Sequence, residues 1–341
     1  MWPIVGNQRV ISHLEIDLKS GHLSHAYLFT GRSQIGKTTT ALTLASAVNC
    51  SAGEKPCGEC SSCIRIASGK HPDVEIIGLL SAEESEDKKA KNEVVIEQVR
   101  KLQHSASLPP YEGRCRVFIF EHAELMNDET ANRLLKTLEE PLPNVMFILI
   151  AHDRGELPET IISRCRVMEF RPVPKNIIER LLITQGVRNE LADKLARMAC
   201  GAPGWAVKAI EKEEMVQRHS EMMGLLIDLI SADYEERFEA AGELNQRIQN
   251  RNELTGLIED WLGLWRDMVL IKAGQADEIT NLGFKKTIIS LVSRLILTDI
   301  KNFTDDLCKT KKKLHYNVNT RLAIEAVLLK MPKLHKAVVK G

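Results

Sequence analysis

Two clusters of residues in this sequence have the types and spacing to do chemistry. The first is Gly31-Arg32-Ser33-Gln34-Ile35-Gly36-Lys37-Thr38, which fits the pattern G-x4-G-K-[ST]. Glycines at its ends let the backbone wrap closely enough for N–H groups to face phosphate oxygens. Lys37 supplies a charge for the β- and γ-phosphates and Thr38 a hydroxyl for Mg2+, so Gly31, Gly36, Lys37, Thr38 and the adjacent Thr39 are the expected nucleotide-binding residues. The second is Cys50, Cys57, Cys60 and Cys63, spaced C-x6-C-x2-C-x2-C. Four thiolates with two tight steps can close a tetrahedral Zn2+ site, and a closed four-ligand set leaves no position for a catalytic water, so its role would be structural. An iron–sulfur cluster and unliganded thiols are the alternatives. Only Lys55, Arg65 and Lys70 lie nearby, with no interleaved aromatic residue, so support is favoured over nucleic-acid recognition.

A nucleotide site of this kind also needs a carboxylate beside the loop to hold Mg2+, and often a second one to activate water. The run Val117-Phe118-Ile119-Phe120-Glu121 ends in an acid placed to serve as the metal partner. The next position, where an activating Glu would stand, is His122. Glu124 reads as a solvated carboxylate at a helix start. The expectation is a site that binds nucleotide and turns it over weakly or not at all.

The elements that would position these groups alternate between strand-like and helix-like stretches, a βαβ rhythm over the first half of the chain. Strands are expected at His25–Thr30, Asp73–Gly78, Val117–Glu121, Val145–Ala151 and Arg166–Phe170, and the first helix of the loop at Lys37–Val48. The near-continuous apolar runs of the third and fourth are what a parallel sheet buried on both faces requires. Ser81–Asn92 is a charge run without periodicity, read as a solvated loop. Beyond Pro172 strand signals stop. A helical segment over Lys175–Lys208 is broken at Gly201-Ala202-Pro203-Gly204, and the remainder is helical, with Trp261, Leu264, Trp265, Met268 and Ile271 forming one apolar stripe.

Composition narrows the function further. The 341 residues carry 46 basic and 46 acidic side chains, which argues against gripping nucleic acid by overall charge. The longest apolar run, Val145–Ala151, is far short of the roughly 18–20 residues of a membrane span, and the N-terminus lacks the pattern of a secretory signal. Cys115, Cys165, Cys200 and Cys308 are scattered singly, as small buried hydrophobes are in a reducing cytosol. A cytoplasmic location and no membrane partner are expected.

The order of phosphate loop, four-Cys insertion, acid-ended strand, Leu134-Leu135-Lys136-Thr137-Leu138-Glu139-Glu140-Pro141 and Ser163-Arg164-Cys165 resembles the bacterial clamp-loader AAA+ subunits. The resemblance is strong over the first 210 residues and weaker through Trp261–Asp267 and Asn317–Leu322. It implies an α/β AAA+ P-loop domain with a five-stranded parallel sheet at 1–170, its zinc-binding insertion at 50–63, a small helical lid domain at 171–210 and an all-α collar domain at 211–341. It implies that Arg164 is an arginine finger acting on the ATP site of a neighbouring subunit. The partners implied are gamma/tau-type and delta-type subunits in a hetero-pentameric ring, a sliding clamp, and primed DNA through the assembled complex, with structural Zn2+ and ATP or ADP with Mg2+ as cofactors. Motor members of the family carry a lid arginine where this chain has Gly204, and a Thr where it has Ala151 and His152. With His122, three catalytic features are replaced together while the Ser-Arg-Cys triplet is kept, the pattern of a stator rather than a motor. The intact Gly36-Lys37-Thr38 exceeds what an inert stator needs. Ending at Gly341, the chain is expected to lack a tau-type extension.

A motor-type subunit, a freestanding P-loop enzyme such as a nucleotide kinase, and a zinc-dependent nucleic-acid adaptor are the competing readings. The Trp261/Trp265 stripe suits a collar interface or an intradomain core equally. Lys309, Lys311, Lys312 and Lys313 read as a solvated basic run following a helix.

Overall fold

Continuous apolar runs become the middle of a parallel sheet. In the computed structural model, which describes residues 2–53, 55–78, 102, 105–141, 143–248, 251–314 and 319–334, five strands form. They are β1 (Ala26–Thr30), β2 (Val74–Ile77), β3 (Arg116–Phe120), β4 (Val145–Ala151) and β5 (Arg166–Glu169), in the order β2-β3-β4-β1-β5, with every pairing parallel. The sheet is the one the AAA+ resemblance implies. Strands β1 and β4 are buried along their whole length, whereas the edge strands are partly exposed, β2 at Glu75 and Ile76 and β5 at Arg166 and Glu169. The charge run Ser81–Asn92 and the pair Asn317-Val318 lie outside the described residues.

The period-2 alternation of the strands divides the core in two. Tyr27, Phe29, Ile119, Ile148 and Ile150 face one layer, built with helices α1 (Gln8–Ser20) and α2 (Lys37–Asn49). Leu28, Phe118, Phe120, Phe147 and Leu149 face the other, closed by Leu134 and Leu138 on α4 (Asp128–Glu139) and by Ile161 on the short α5 (Glu159–Ile162). Between α2 and α4 in chain order comes α3 (Ser61–Ala67), whose Ile66 joins the first layer. After β5 no strand occurs among the described residues. The helices that follow are α6 (Lys175–Thr184), α7 (Asn189–Met198), α8 (Pro203–Glu211), α9 (Glu213–Ser231), α10 (Tyr234–Arg247), α11 (Arg251–Lys272), α12 (Lys285–Ser293), α13 (Leu297–Lys313) and α14 (Thr320–Lys330). The break expected at Gly201–Gly204 falls at residues 199–202, between α7 and α8, with Pro203 at the first helical position, where its missing N–H costs nothing. A second break at residues 185–188 was not expected.

The chain forms two compact units, one of Met1–Gly186 with Gly201–Trp205 and one of Val187–Cys200 with Ala206–Gly341. In the second unit Trp261, Leu264, Trp265 and Met268 are fully buried, and Trp265 packs against Phe303 at 4.6 Å between ring centroids. The tryptophan stripe is therefore intradomain core, with no indole surface left for a partner. The lysine run does not follow a helix but forms the last turn of α13, where cations oppose the exposed carbonyls of the helix end. Lys311 there pairs with Glu259 at 2.8 Å. Of the scattered cysteines, Cys115 and Cys165 are buried, but Cys200 is only half-buried and Cys308 is exposed on α13, so the expectation holds for two of four. No helix among the described residues is long and apolar enough to cross a membrane.

Candidate functional site

The glycine-bracketed loop leaves β1 at Thr30 and enters α2 at Lys37, and its backbone explains its composition. Gly31 has φ 141°, and a Cβ there would lie 2.5 Å from the Phe170 carbonyl oxygen; Gly36 has φ 105°. The Gly31 N–H donates to the His152 carbonyl just beyond β4, and Phe170 N–H donates to the Thr30 carbonyl, so the loop is fixed from both flanking strands. The first turn of α2 contains no acidic residue, which leaves the positive end of the helix unopposed and suited to an anion. The Lys37 ammonium is buried and donates to the Gly31 and Arg32 carbonyls of its own loop. Thr39 is exposed, one residue beyond Thr38.

Glu121 is the first residue past β3, held by its N–H on the Ile77 carbonyl at 2.7 Å. Its carboxylate accepts from the Thr38 hydroxyl at 2.9 Å, although the two residues are 83 apart in sequence. A hydroxyl and a carboxylate side by side, next to a lysine and a helix N-terminus, form an oxygen donor set of the kind Mg2+ takes when phosphates complete its shell. His122 follows in the left-handed region (φ 55°), with Nδ1 3.2 Å from Glu124 Oε1. That hydrogen bond and the Glu124 charge shift the imidazole pKa upward, against the opposing effect of burial, which makes His122 a weaker candidate for accepting a proton from water. Glu124 is not the solvated carboxylate expected from the sequence: its side chain is only 9% exposed, because the turn Ala123–Leu125 folds it back onto His122.

Gly204, in the position matched to a motor-type lid arginine, touches the loop with its backbone. Its N–H donates to the Gln34 carbonyl at 2.9 Å, and a Cβ at 204 would lie 2.8 Å from that same oxygen. Ala151 ends β4 and is buried.

The four cysteines converge. Cys50 caps the end of α2, Cys60 caps the start of α3 and Cys63 lies in its first turn, while Gly58 (φ 78°) turns the chain between Cys57 and Cys60. All four sulfurs lie within 4.8 Å of one another, with Cys57–Cys63 and Cys50–Cys60 both at 4.0 Å. Four thiolates about 2.3 Å from a tetrahedral ion would be roughly 3.8 Å apart, so the set is compatible with zinc. The Cys63 backbone N–H foremost draws the Cys60 thiol down to about 6, and N–H groups of Cys60 and Glu59 lower Cys57.

Two side chains with no role in the sequence reading join this cluster to the acid-ended strand. Asn49, the last residue of α2, accepts through Oδ1 from the N–H groups of Arg114 and Cys115. Asp73 accepts from the N–H groups of Tyr111, Glu112 and Gly113, and Gly113 is required because a Cβ there would meet Asn49 Oδ1 at 2.5 Å. Arg65 of α3 pairs with Glu112 at 2.6 Å. Only a residue contact map could have revealed these, since neither Asn49 nor Asp73 lies in a motif.

Arg164 is elsewhere in the same unit. In the β1–β5 register Tyr27 is level with Arg166 and Thr30 with Glu169, so the chain enters β5 at the end of the strands opposite the phosphate loop. Arg164 stands at that far end and does not join Lys37, Thr38 and Glu121. Its guanidinium donates to the Thr160 carbonyl at 2.8 Å and to Glu139 Oε1 at 2.6 Å. Cys165 is packed and its thiol is pushed up to about 12 by burial, which makes it inert.

The model of the family described as "DNA polymerase III, delta subunit" matches residues 6–174. The chain is 30% identical to DNA polymerase III subunit delta' of Bacillus subtilis over 94% of each chain. It is 28% identical to DNA polymerase III subunit tau of Escherichia coli over 97% of its own length, and spans about half (53%) of that relative. Among solved structures it is similar to a Bacillus subtilis DNA clamp loader delta protein, with 14% identity, a TM-score of 0.35, and coverage of 94% of this chain and 99% of the other.

Proposed function

The chain belongs to the clamp-loader family of DNA polymerase III, and on that premise we propose that it is the delta-prime, or stator, subunit. In this reading it joins gamma/tau-type and delta-type subunits in a hetero-pentameric ring that places a sliding clamp on primed DNA. It lends Arg164 to a neighbouring ATPase subunit and hydrolyses little or no ATP itself. The division into a nucleotide-binding domain (1–170), a lid (171–210) and a collar (211–341) belongs to the same proposal.

The observation that carries it is the placement of Arg164 before β5, at the end of the strands opposite the one that carries its own phosphate loop. An arginine there has no route to its own nucleotide, whereas a guanidinium presented at a subunit edge can stabilise charge developing on a neighbour's γ-phosphate. For its own nucleotide, the loop N–H groups and Lys37 would bind the phosphates, and Thr38 with Glu121 would hold Mg2+. Lys37 would exchange its two carbonyl acceptors for phosphate oxygens. What is missing is a carboxylate base: the residue after Glu121 is an imidazole engaged by Glu124, and where a motor has a lid guanidinium Gly204 has no side chain and its N–H is used on the Gln34 carbonyl. Binding without turnover is the expected outcome. Zn2+ on Cys50, Cys57, Cys60 and Cys63 would act structurally, tying the end of α2 to the start of α3.

The similarity to tau subunits over 97% of this chain favours a second reading, an ATP-hydrolysing gamma/tau-type motor. Nucleotide binding and hydrolysis by the isolated chain separate the two. The stator reading expects binding that is lost in Lys37→Ala and no turnover above background; motor-level hydrolysis by the isolated chain would reverse the choice.

A further inference from the structure

The two most distinctive segments of this sequence, Leu134–Pro141 and Ser163–Cys165, meet at one contact. Most of the first segment is used by packing: Leu134 and Leu138 are buried against the sheet. Glu139, the last residue of α4, is not. Its side chain is about half exposed, and it stands at a helix C-terminus, where a carboxylate has the wrong sign for the helix dipole. A position that is electrostatically unfavourable and contributes nothing to the core calls for another reason. The guanidinium of Arg164 supplies one, 25 residues on, at 2.6 Å.

We propose that Glu139 is a positioning residue for Arg164, fixing the direction in which the guanidinium is presented to the neighbouring subunit. The inference rests on the finger reading above. Arg164 is gripped on two sides: one terminal nitrogen donates to the Thr160 carbonyl at 2.8 Å and the other to Glu139. Thr160 belongs to the same turn as Arg164 and moves with it, so the Glu139 contact is the one that ties the finger to a separate, core-anchored helix. A guanidinium has five N–H donors in a rigid fork, and these two bonds leave others to meet phosphate oxygens. Without the carboxylate, a long side chain at the molecular edge samples several rotamers, and the fraction pointing outward correctly falls. A positioning role lowers the rate of the chemical step in the neighbour and leaves that neighbour's affinity for ATP unchanged.

The test is steady-state ATP turnover by the reconstituted clamp loader carrying Glu139→Ala or Glu139→Gln in this subunit, with Arg164→Ala and the Arg164→Ala/Glu139→Ala pair alongside. Glu139→Ala is expected to lower kcat about tenfold, with KM for ATP within twofold and ring assembly intact. Glu139→Gln keeps an acceptor of the same shape and is expected to fall between it and the unmodified complex; it also serves should the alanine variant not assemble. The double variant is expected to be no slower than Arg164→Ala alone. If Arg164→Ala lowers turnover while both Glu139 variants leave kcat unchanged or raise it, Glu139 does not position the finger. A loss confined to assembly, with normal kcat per assembled ring, would equally overturn it. Unchanged turnover in Arg164→Ala would instead remove the finger reading itself.

Discussion

Asp73 offers the sharpest measure of how the frame behind Glu121 is held. Its carboxylate is 1% exposed and accepts from three successive backbone N–H groups, Tyr111 at 2.6 Å, Glu112 at 2.9 Å and Gly113 at 2.8 Å, with Arg116 at 3.4 Å. Burial alone would raise its pKa, but these donors and the Arg116 charge outweigh it and hold the carboxyl below its ordinary value. Asp73→Ala strands several donors and a partly buried guanidinium at once. Each unmet buried donor costs about 1–3 kcal/mol and a broken buried ion pair about 3–5, and because the losses overlap the expected total is about 3–5 kcal/mol. Against a typical stability of roughly 5–15 kcal/mol this is severe. Asp73→Asn retains one acceptor oxygen and is expected to cost about 1–3 kcal/mol. Since the chain has two compact units, unfolding in urea is best followed by amide hydrogen exchange of β3 peptides, with α11 peptides as the internal control. The substitution is expected to weaken β3 and spare α11. The pH dependence has a fixed sign: a carboxyl whose folded pKa is depressed contributes stability above its unfolded value, and that contribution disappears as pH falls through the folded value. The unmodified chain is thus expected to lose β3 protection on acidification more steeply than Asp73→Asn. A cost below about 1 kcal/mol for Asp73→Ala would refute the reasoning.

Two further outcomes are expected. Elemental analysis of the purified chain should give about one zinc per polypeptide, falling to none in Cys57→Ser/Cys60→Ser, because four clustered thiolates form a closed site; iron, or no metal in the unmodified chain, would contradict this. In the second unit Arg237 is buried with no carboxylate partner among the described residues, donating to the Leu229, Ile230 and Met331 carbonyls at 3.1, 3.2 and 2.7 Å and so joining the ends of α9 and α14. Arg237→Lys is expected to destabilise that unit in thermal melts by roughly 2–4 kcal/mol, because one ammonium cannot span acceptors that a planar fork reaches together; a wild-type melt would count against it.

What could be read from sequence followed from how local each signal was. The β4 run Val145–Ala151 announced a strand buried on both faces because every residue in it is apolar, and the glycines of the phosphate loop announced their backbone strain. The cysteines were legible because all four fall within one short stretch. The bond between Thr38 and Glu121 is foreseeable only as chemistry, and Glu139 and Arg164 lie in two separate motifs whose contact leaves no trace in local sequence. The burial of Glu124 is not legible in sequence because a one-turn fold-back onto His122 leaves no periodic trace. The lysines at 309–313 were placed beyond a helix because charge runs resemble loops, yet lysine is a good helix former and favoured at helix C-termini. The tryptophan stripe could not be assigned to core or interface until its burial was known, since both demand the same apolar face.

The most direct measurement is ATP turnover by the reconstituted clamp loader with Arg164→Ala in this subunit alone. Turnover is expected to fall by a factor on the order of 10³ at the site this arginine serves, with the ring assembled and nucleotide still bound. An assembled ring hydrolysing ATP at the unmodified rate would contradict the claim that this chain completes its neighbour's active site.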